Sequence, residues 1–379
     1  MKKKRINGEG NIRKRSEHSW EASIAVDGDK RVYLYGASQK EVKDKLQGIQ
    51  AEIANGTYIA ENEMTVGEWM DEWYECFTTG VKASSRERYE QDIRIHIKPG
   101  IGHINLQDLK LLHVQRFLNQ CKNQKNLAQK TVKNIYLVLN KALKKAQSQG
   151  LIRQNPCGEA EIPSYDTPQK EMRPLKDAEV AQFLKQIAGH PDEFFLYMAL
   201  FTGMRESELI GLTWDCIDWD TSNIHLYRQL KPVKGRKATW AFTTLKNKQS
   251  RDFIAPPSVI RILKKQKLRQ AEWKLQYGEA YDNDLNLVFT NPLGKHLTSV
   301  TIYNHFKAIV TQMGLPEVRF HDLRHTYATL ALQNGVDVKT VSNNLGHATV
   351  AFTMDKYVHI SMTMQQDCVS KMESYIASL

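Results

Sequence analysis

His321 and Arg324 stand three residues apart in FHDLRHTYATLA (320–331), where the apolar Leu323, Tyr327, Leu330 and Ala331 follow a helical period. Residues at i and i+3 share a helix face, so an imidazole and a guanidinium there reach the same small target. A guanidinium offers paired planar donors suited to an oxyanion, and an imidazole exchanges protons near neutral pH. Upstream, in LYMALFTGMRESELIGLTWDCIDWD, Arg205 follows Gly203, a residue suited to a tight turn. Glu208 lies one turn further on, where its carboxylate can fix the arginine or a neighbouring histidine. In LKNKQSR, Lys246 and Lys248 fall in a tight turn between two strand-like runs. Downstream, LGHATVAFTMDKYVH supplies His347 behind Gly346, a helix-stop signal, and then Tyr357 on the next helical segment. Each feature alone has a plain alternative: a solvated charged edge, a surface ion pair, two ordinary exposed lysines. The ordered set of Arg, Lys, His-x-x-Arg, His and Tyr is much less readily a coincidence.

The chain that must position these residues has 379 of them, too many for one ordinary core, so two or three domains are expected. An apolar share of 41% allows each to be globular, and a net charge of +11 favours a polyanionic partner, nucleic acid first. No apolar run is long enough to span a bilayer, and MKKKRINGEGNIRKR lacks the apolar core of a secretory signal. A cytoplasmic, bacterial location with no membrane partner is the expectation. Cys76, Cys121, Cys157, Cys216 and Cys368 are scattered and unpaired in spacing, which argues against a disulfide framework or a zinc site. A metal site of His321, His347 and His359 lacks a carboxylate or thiolate to complete it. No phosphate-loop motif points to ATP.

Along the chain, a basic arm comes first: Lys2, Lys3, Lys4, Arg5, Arg13, Lys14 and Arg15 stand against one acid, Glu9. SWEASIAVDGDKRVYLYG reads as two strands turning at Asp27-Gly28, with a helix over 39–55 behind them. From Thr65 the period becomes helical, with Val66, Trp69, Met70, Trp73, Tyr74 and Phe77 on one face and a Thr65/Glu68 capping box. Ser84 with Glu87 opens a second helix ending before Pro99-Gly100, a third spans 108–121, and a fourth runs through Val132, Ile135 and Leu143 to Gly150. These make a helical bundle. CGEAEIPSYDTPQKEMRP has no period and reads as a linker. Beyond it, helices dominate around three strand-like runs, NIHLYRQ, TWAFTTL and RDFIAP, which predict one small antiparallel sheet. The expected parts are therefore 1–62, a sheet-plus-helix module; 63–160, the bundle; 161–173, the linker; and 174–379, a mainly helical domain. The fold class is α+β, mostly α.

TGMRESELIGLTW, LKNKQSR, HDLRHTYATLAL, LGH and TMDKY, in this order and roughly this spacing, resemble the tyrosine recombinase family. SSRERYEQDIRIHIKPGIGHINLQDL is similar to the family's core-binding domain, and residues 1–60 look like the arm-binding module of phage and conjugative-transposon integrases. The resemblance implies a site-specific recombinase that needs no cofactor and no metal. Arg205 and Arg324 would clamp the scissile phosphate, His321 would act as general base and phosphate donor, and His347 would donate to the phosphoryl oxygens. Tyr357 would be the nucleophile, leaving a 3′-phosphotyrosyl bond and a free 5′-hydroxyl. Lys246, or Lys248 two residues on, would protonate the departing 5′ oxygen. Tyr327 reads as core and His325 as a structural residue turned away from the His321 side. Lys2, Lys3, Lys4, Arg5, Arg13, Lys14, Arg15, Lys234, Arg236, Lys237 and Lys248 are the candidate DNA contacts.

The resemblance further implies that bundle and catalytic domain clamp duplex DNA at attachment sites, as a homotetramer, with an excisionase and a host DNA-bending protein as partners. Val369, Met372, Ile376 and Leu379, at near-helical spacing, would dock on a neighbouring protomer. Two other readings share parts of the sequence: a type IB topoisomerase-like enzyme with the same chemistry, and a DNA-binding regulator that has lost catalysis.

Overall fold

The computed structural model describes residues 10–27, 30–165, 172–232, 239–245, 250–347 and 349–357, with 369, 372–374, 376 and 377 near the C-terminus. The chain divides into two units, Met1–Pro168 and Gln169–Leu379. The turn residue Gly28 and the arm residues Lys2, Lys3, Lys4 and Arg5 lie outside the described residues, as does most of the C-terminal segment. Among the described residues no helix is long and apolar enough to cross a membrane.

The first unit begins with three antiparallel strands rather than two: β1 (Asn11–Ser16), β2 (Ser19–Asp27) and β3 (Lys30–Gly36), in the order β1-β2-β3. The extra strand is the second half of the expected arm. Glu21 explains it, for this buried acid on β2 pairs Arg13 at 2.7 Å and Arg15 at 3.0 Å, turning basic arm residues into strand residues. Helix α1 (Gln39–Ala54) lays Val42 and Leu46 against Ala22 and Ile24 of the sheet.

The bundle follows. Helix α2 (Val66–Phe77) starts at the expected Thr65/Glu68 capping box and buries Trp69 and Trp73, the Trp69 indole N–H donating to the Ala142 carbonyl at 3.0 Å. Helix α3 (Ala83–Asp92) has no side-chain cap, so the Ser84/Glu87 expectation fails. It does not stop before Pro99 either. It runs through a π-turn, Ile93–Ile97, into α4 (Lys98–Ile101), where Pro99 sits in a first turn that needs no N–H from it. Helices α5 (Leu111–Asn123) and α6 (Gln129–Ser148) complete a core of Trp69, Trp73, Ile97, Leu118, Ile135, Leu139 and Leu143.

The second unit holds α7 (Asp177–Ile187), the almost wholly apolar α8 (Glu193–Thr202) and the short α9 (Glu206–Ile210). Strands β4 (Ile217–Asp218), β5 (Asn223–Leu226), β6 (Arg228–Pro232), β7 (Trp240–Thr244) and β8 (Arg251–Ile254) form two small sheets where one was expected. NIHLYRQ breaks at Tyr227, so β5 pairs with β4 and β8 while β6 pairs with β7. The lysine stretch therefore links two sheets and does not close a hairpin. Helices α10 (Pro257–Tyr277), α11 (Ser299–Gln312), α12 (Phe320–Gln333), α13 (Val338–Leu345) and α14 (Val350–Tyr357) follow. Phe183, Phe195 and Phe306 are central to the main core. A smaller cluster of Ala328, Leu332, Val341, Leu345 and Tyr357 joins the last three helices.

Candidate active site

The site forms around two helix ends. Helix α8 ends at Gly203 in the left-handed region (φ 60°), where a Cβ would stand 2.6 Å from the Tyr327 ring and 2.8 Å from Leu345. This turn releases Arg205 at the start of α9 and aims the Gly203 carbonyl at Arg324, whose Nη1 donates to it at 2.7 Å. Helix α13 also ends in a left-handed glycine, Gly346 (φ 62°). Three successive carbonyls at this end each accept from a different arginine: Asn344 from Arg251 Nε at 2.8 Å, Leu345 from Arg324 Nη2, and Gly346 from Arg205 Nη2 at 3.1 Å. The carbonyl-rich, negative end of a helix is a natural seat for cations.

Glu208 joins two of the three arginines. Its carboxylate accepts from the Arg205 backbone N–H (2.8 Å), Arg205 Nη1 (2.6 Å), Arg251 Nη1 (3.1 Å) and Arg251 Nη2 (2.6 Å). Burial at 1% exposure would raise its pKa, but the Arg251 hydrogen bonds and the charges of Arg251 and Arg205 override this and hold it at about 2. Arg324 is 3% exposed. Burial first and the Arg205 charge second bring its pKa down to about 9. His347 is pushed down to about 3 by burial, then by Arg324 and Arg205. Its Nδ1 lies 2.7 Å from the Thr353 hydroxyl. His321 is exposed on the first turn of α12. Loss of hydration and then Arg324 lower its pKa, and it lines a small cavity with Arg324, Met204 and Glu206.

Tyr357, the last residue of α14, is 6% exposed, and burial pushes its phenol up to about 12 against the pull of Arg324. Its hydroxyl lies 2.8 Å from Nδ1 of His325, not against His321. The expectation for His325 is thus corrected: at i+4 it shares the face of His321, the two rings meeting edge to face at 4.9 Å. Tyr327 is a packing residue, as expected, with its hydroxyl accepting from Asn344 Nδ2 at 3.1 Å.

Arg205, Glu208, Arg324 and His347 are thus brought together, with Tyr357 and His321 beside Arg324. Lys246, Lys248, Lys234, Arg236 and Lys237 lie outside the described residues. The neighbours of the lysine stretch, Leu245 and Ser250, line a cleft of about 390 Å³ with Arg205, Arg251 and His347. Of the histidines weighed as metal ligands, His359 is outside the described residues and His347 is turned to Thr353. A different trio converges among the described residues, His190, Asp192 and His305. There Asp192 accepts from or pairs with His305 Nδ1 at 2.6 Å, and its backbone N–H donates to His190 Nδ1 at 3.0 Å, which engages both rings at the start of α8.

Three participants escaped the sequence reading. Arg251 has a legible signal: in RDFI it alternates inward with Phe253, and an arginine on the buried face of a strand needs a carboxylate. His325 was legible from its i+4 spacing. Thr353 carries no signal.

Residues 173–364 match the phage integrase family, and residues 65–121 match the phage integrase N-terminal SAM-like domain. A XerC-like tyrosine recombinase of Caldanaerobacter subterraneus is 30% identical over 87% of this chain and 88% of its own. The ICEBs1 integrase of Bacillus subtilis is 26% identical over 66% of this chain and 67% of its own. Among solved structures, the Tn1549 transposon integrase in complex with transposon right end DNA has the same fold, with a TM-score of 0.70, 21% identity, and coverage of 81% of this chain and all of that one. The lambda integrase in a tetramer bound to a Holliday junction gives a TM-score of 0.59 at 16% identity over 93% of this chain and 96% of that one. The chain belongs to the phage integrase family, the tyrosine recombinases, and is a site-specific recombinase of mobile elements that breaks and rejoins DNA.

Proposed function

We propose that this recombinase is the integrase of a mobile element, cleaving duplex DNA at attachment sites through Tyr357 and rejoining it from a 3′-phosphotyrosyl ester, for both integration and excision. The observation that carries the reading is a surplus of enclosed positive charge. Arg205 and Arg251 share one carboxylate, Glu208, and Arg324 donates to carbonyls, so among the described ion pairs two of these three charges are unmatched, and the lowered pKa values of Arg324 and His347 have those arginines among their causes. A phosphodiester is the anion that fits, since guanidinium donors held rigidly by carbonyls and Glu208 need no rearrangement as charge builds on its oxygens.

The remaining roles follow from chemistry. At neutral pH His347 is uncharged; in the tautomer where the Thr353 hydroxyl donates to Nδ1, the ring proton rests on Nε2, which can donate a hydrogen bond to a phosphoryl oxygen. His321 beside Arg324 supplies another donor. Lys246, or Lys248, is assigned to protonate the leaving 5′ oxygen, and the cleft edge at Leu245 and Ser250 supports that assignment. The bond energy stays in the phosphotyrosine, so rejoining requires no nucleotide. In this reading 1–62 binds arm sites, 63–160 binds core sites and 174–379 does the chemistry. Assembly as a homotetramer on paired sites, with an excisionase and a host DNA-bending protein, completes the proposal.

The test is covalent trapping. A nicked duplex built from the sequences flanking the gene, labelled upstream of the cleavage point, is mixed with protein and denatured. Wild type should retain label and Tyr357→Phe none, while Arg324→Lys should trap about two to three orders of magnitude more slowly, since Lys cannot reproduce the bidentate donors. Retention by Tyr357→Phe would refute the nucleophile, and binding without trapping would favour the silent regulator.

A further inference from the structure

We infer that His325, and not His321, is the catalytic residue that accepts the Tyr357 proton during strand cleavage and returns it during rejoining. The inference rests on the nucleophile assigned above. Its first support is distance: the Tyr357 hydroxyl lies 2.8 Å from His325 Nδ1, the range a proton transfer requires. Its second is confinement. The Tyr357 ring is packed with Ala328, Leu332, Val341 and Leu345, so the phenol cannot turn to another base without leaving this core. Its third is a division between two rings on adjacent turns of α12. His321 is exposed and lines a cavity with Arg324, while His325 is half-buried and faces α14.

The step balances within these groups. The phenolic O–H bond breaks as a new bond forms from the oxygen to phosphorus, and the proton passes to Nδ1, giving an imidazolium. The phosphorus to 5′-oxygen bond breaks and that oxygen takes a proton from the lysine ammonium assigned above. In rejoining, the imidazolium protonates the departing phenolate. The surroundings make the step conditional on substrate. His325 faces His321, Asp322 and Arg324 on α12, Arg319 just before that helix, Tyr357 on α14, and His347 on the turn before α14. In the free protein burial and then His321 hold its pKa at about 4, while that of Tyr357 is about 12, so the proton stays on the phenol. A phosphate seated between Arg205 and Arg324 adds negative charge nearby and favours the imidazolium just when the nucleophile is needed.

The experiment compares single-turnover trapping on the same nicked duplex for wild type, His325→Asn, His325→Gln and His321→Asn from pH 6 to 10. Asn keeps an acceptor near the Nδ1 position but takes no proton; Gln is a second variant should Asn disturb folding. Both should bind DNA as wild type does. At pH 7 His325→Asn should trap about 10² to 10⁴ times more slowly, the range for a lost general base. The deficit should shrink about tenfold per pH unit as hydroxide takes over. A 5′-bridging phosphorothioate duplex, whose thiolate leaving group needs no proton, should leave the deficit unchanged. Trapping by the His325 variants within threefold of wild type, or a deficit equal at every pH, would overturn the assignment. So would a pH-rescued loss in His321→Asn alone. Trapping by Tyr357→Phe would instead overturn the nucleophile, and this assignment with it.

Discussion

Glu208 shows how much of the site depends on one side chain. It pairs with both Arg205 and Arg251 while these lie against the end of α13, and removing its charge would leave two guanidinium groups repelling each other in a buried place. Glu208→Gln should cost about 3–5 kcal/mol at pH 7, the usual result of breaking a buried ion pair from one side. The sign of the pH dependence follows from a folded pKa of about 2 against an ordinary 4.5. That stabilisation is complete above pH 4.5 and is lost as pH falls toward 2, so unfolding curves of variant and wild type should converge over that window. A gap that stays constant from pH 7 to 2.5 would mean Glu208 acts through shape, not charge. Arg205, Glu208, Arg324, His347 and Tyr357 could be picked out because residue type and spacing encode them. The three carbonyls of Asn344, Leu345 and Gly346 could not, because every residue has a carbonyl and only the tertiary fold chooses which ones meet an arginine.

At the scale of elements, the legible parts were those with a local cause. The Thr65 capping box and the Trp69/Trp73 stripe fix α2 where the spacing predicts it, and Gly346 ends α13. The strand β1 was missed because its partner, Glu21, makes the strand stable through a cross-strand pairing, which periodicity within NIRKRS does not report. The passage from α3 into α4 was missed because a π-turn lets a helix run on to a proline. Asp92 sits at that junction, buried, with Oδ2 lacking a hydrogen-bond partner among the described residues and Arg88 no nearer than 3.9 Å. Burial raises its pKa from 3.8 to about 6, against the weaker pull of Arg88. The folded state therefore loses stability as pH rises from about 4 to 6, by at most about 3 kcal/mol at 1.36 kcal/mol per unit. Asp92→Asn should raise hydrogen-exchange protection of the bundle by roughly 1–3 kcal/mol above pH 6 and by nothing below pH 4. Unchanged protection at pH 8 would mean water already solvates the carboxylate.

At the scale of the whole molecule, two proposals concern the chain's ends. The C-terminal stretch exposes Val369, Met372 and Ile376, which fits the proposal that it docks on a neighbouring protomer. A chain ending at Val358 should then cleave DNA singly but fail to form tetramers on paired sites, and tetramers seen by light scattering would reject the docking. The N-terminal charges divide into two kinds. Arg13 and Arg15 have a partner in Glu21, so their replacement by alanine should weaken the β1–β2 pairing and lower the melting temperature, with little gain or loss of counterion release. Lys2, Lys3, Lys4 and Arg5 precede that sheet in a chain of net charge +11, and in the proposed function they meet phosphates. Each phosphate contact contributes about 0.9 to the slope of log affinity against log salt. Changing all four to alanine should therefore flatten the slope by up to about 3.6 on arm-site DNA while leaving trapping on the core duplex at its wild-type rate. An unchanged slope would show that the arm is only solvated, and would move arm-site recognition onto the open sheet face that carries Tyr33 and Tyr35, opposite the face covered by α1.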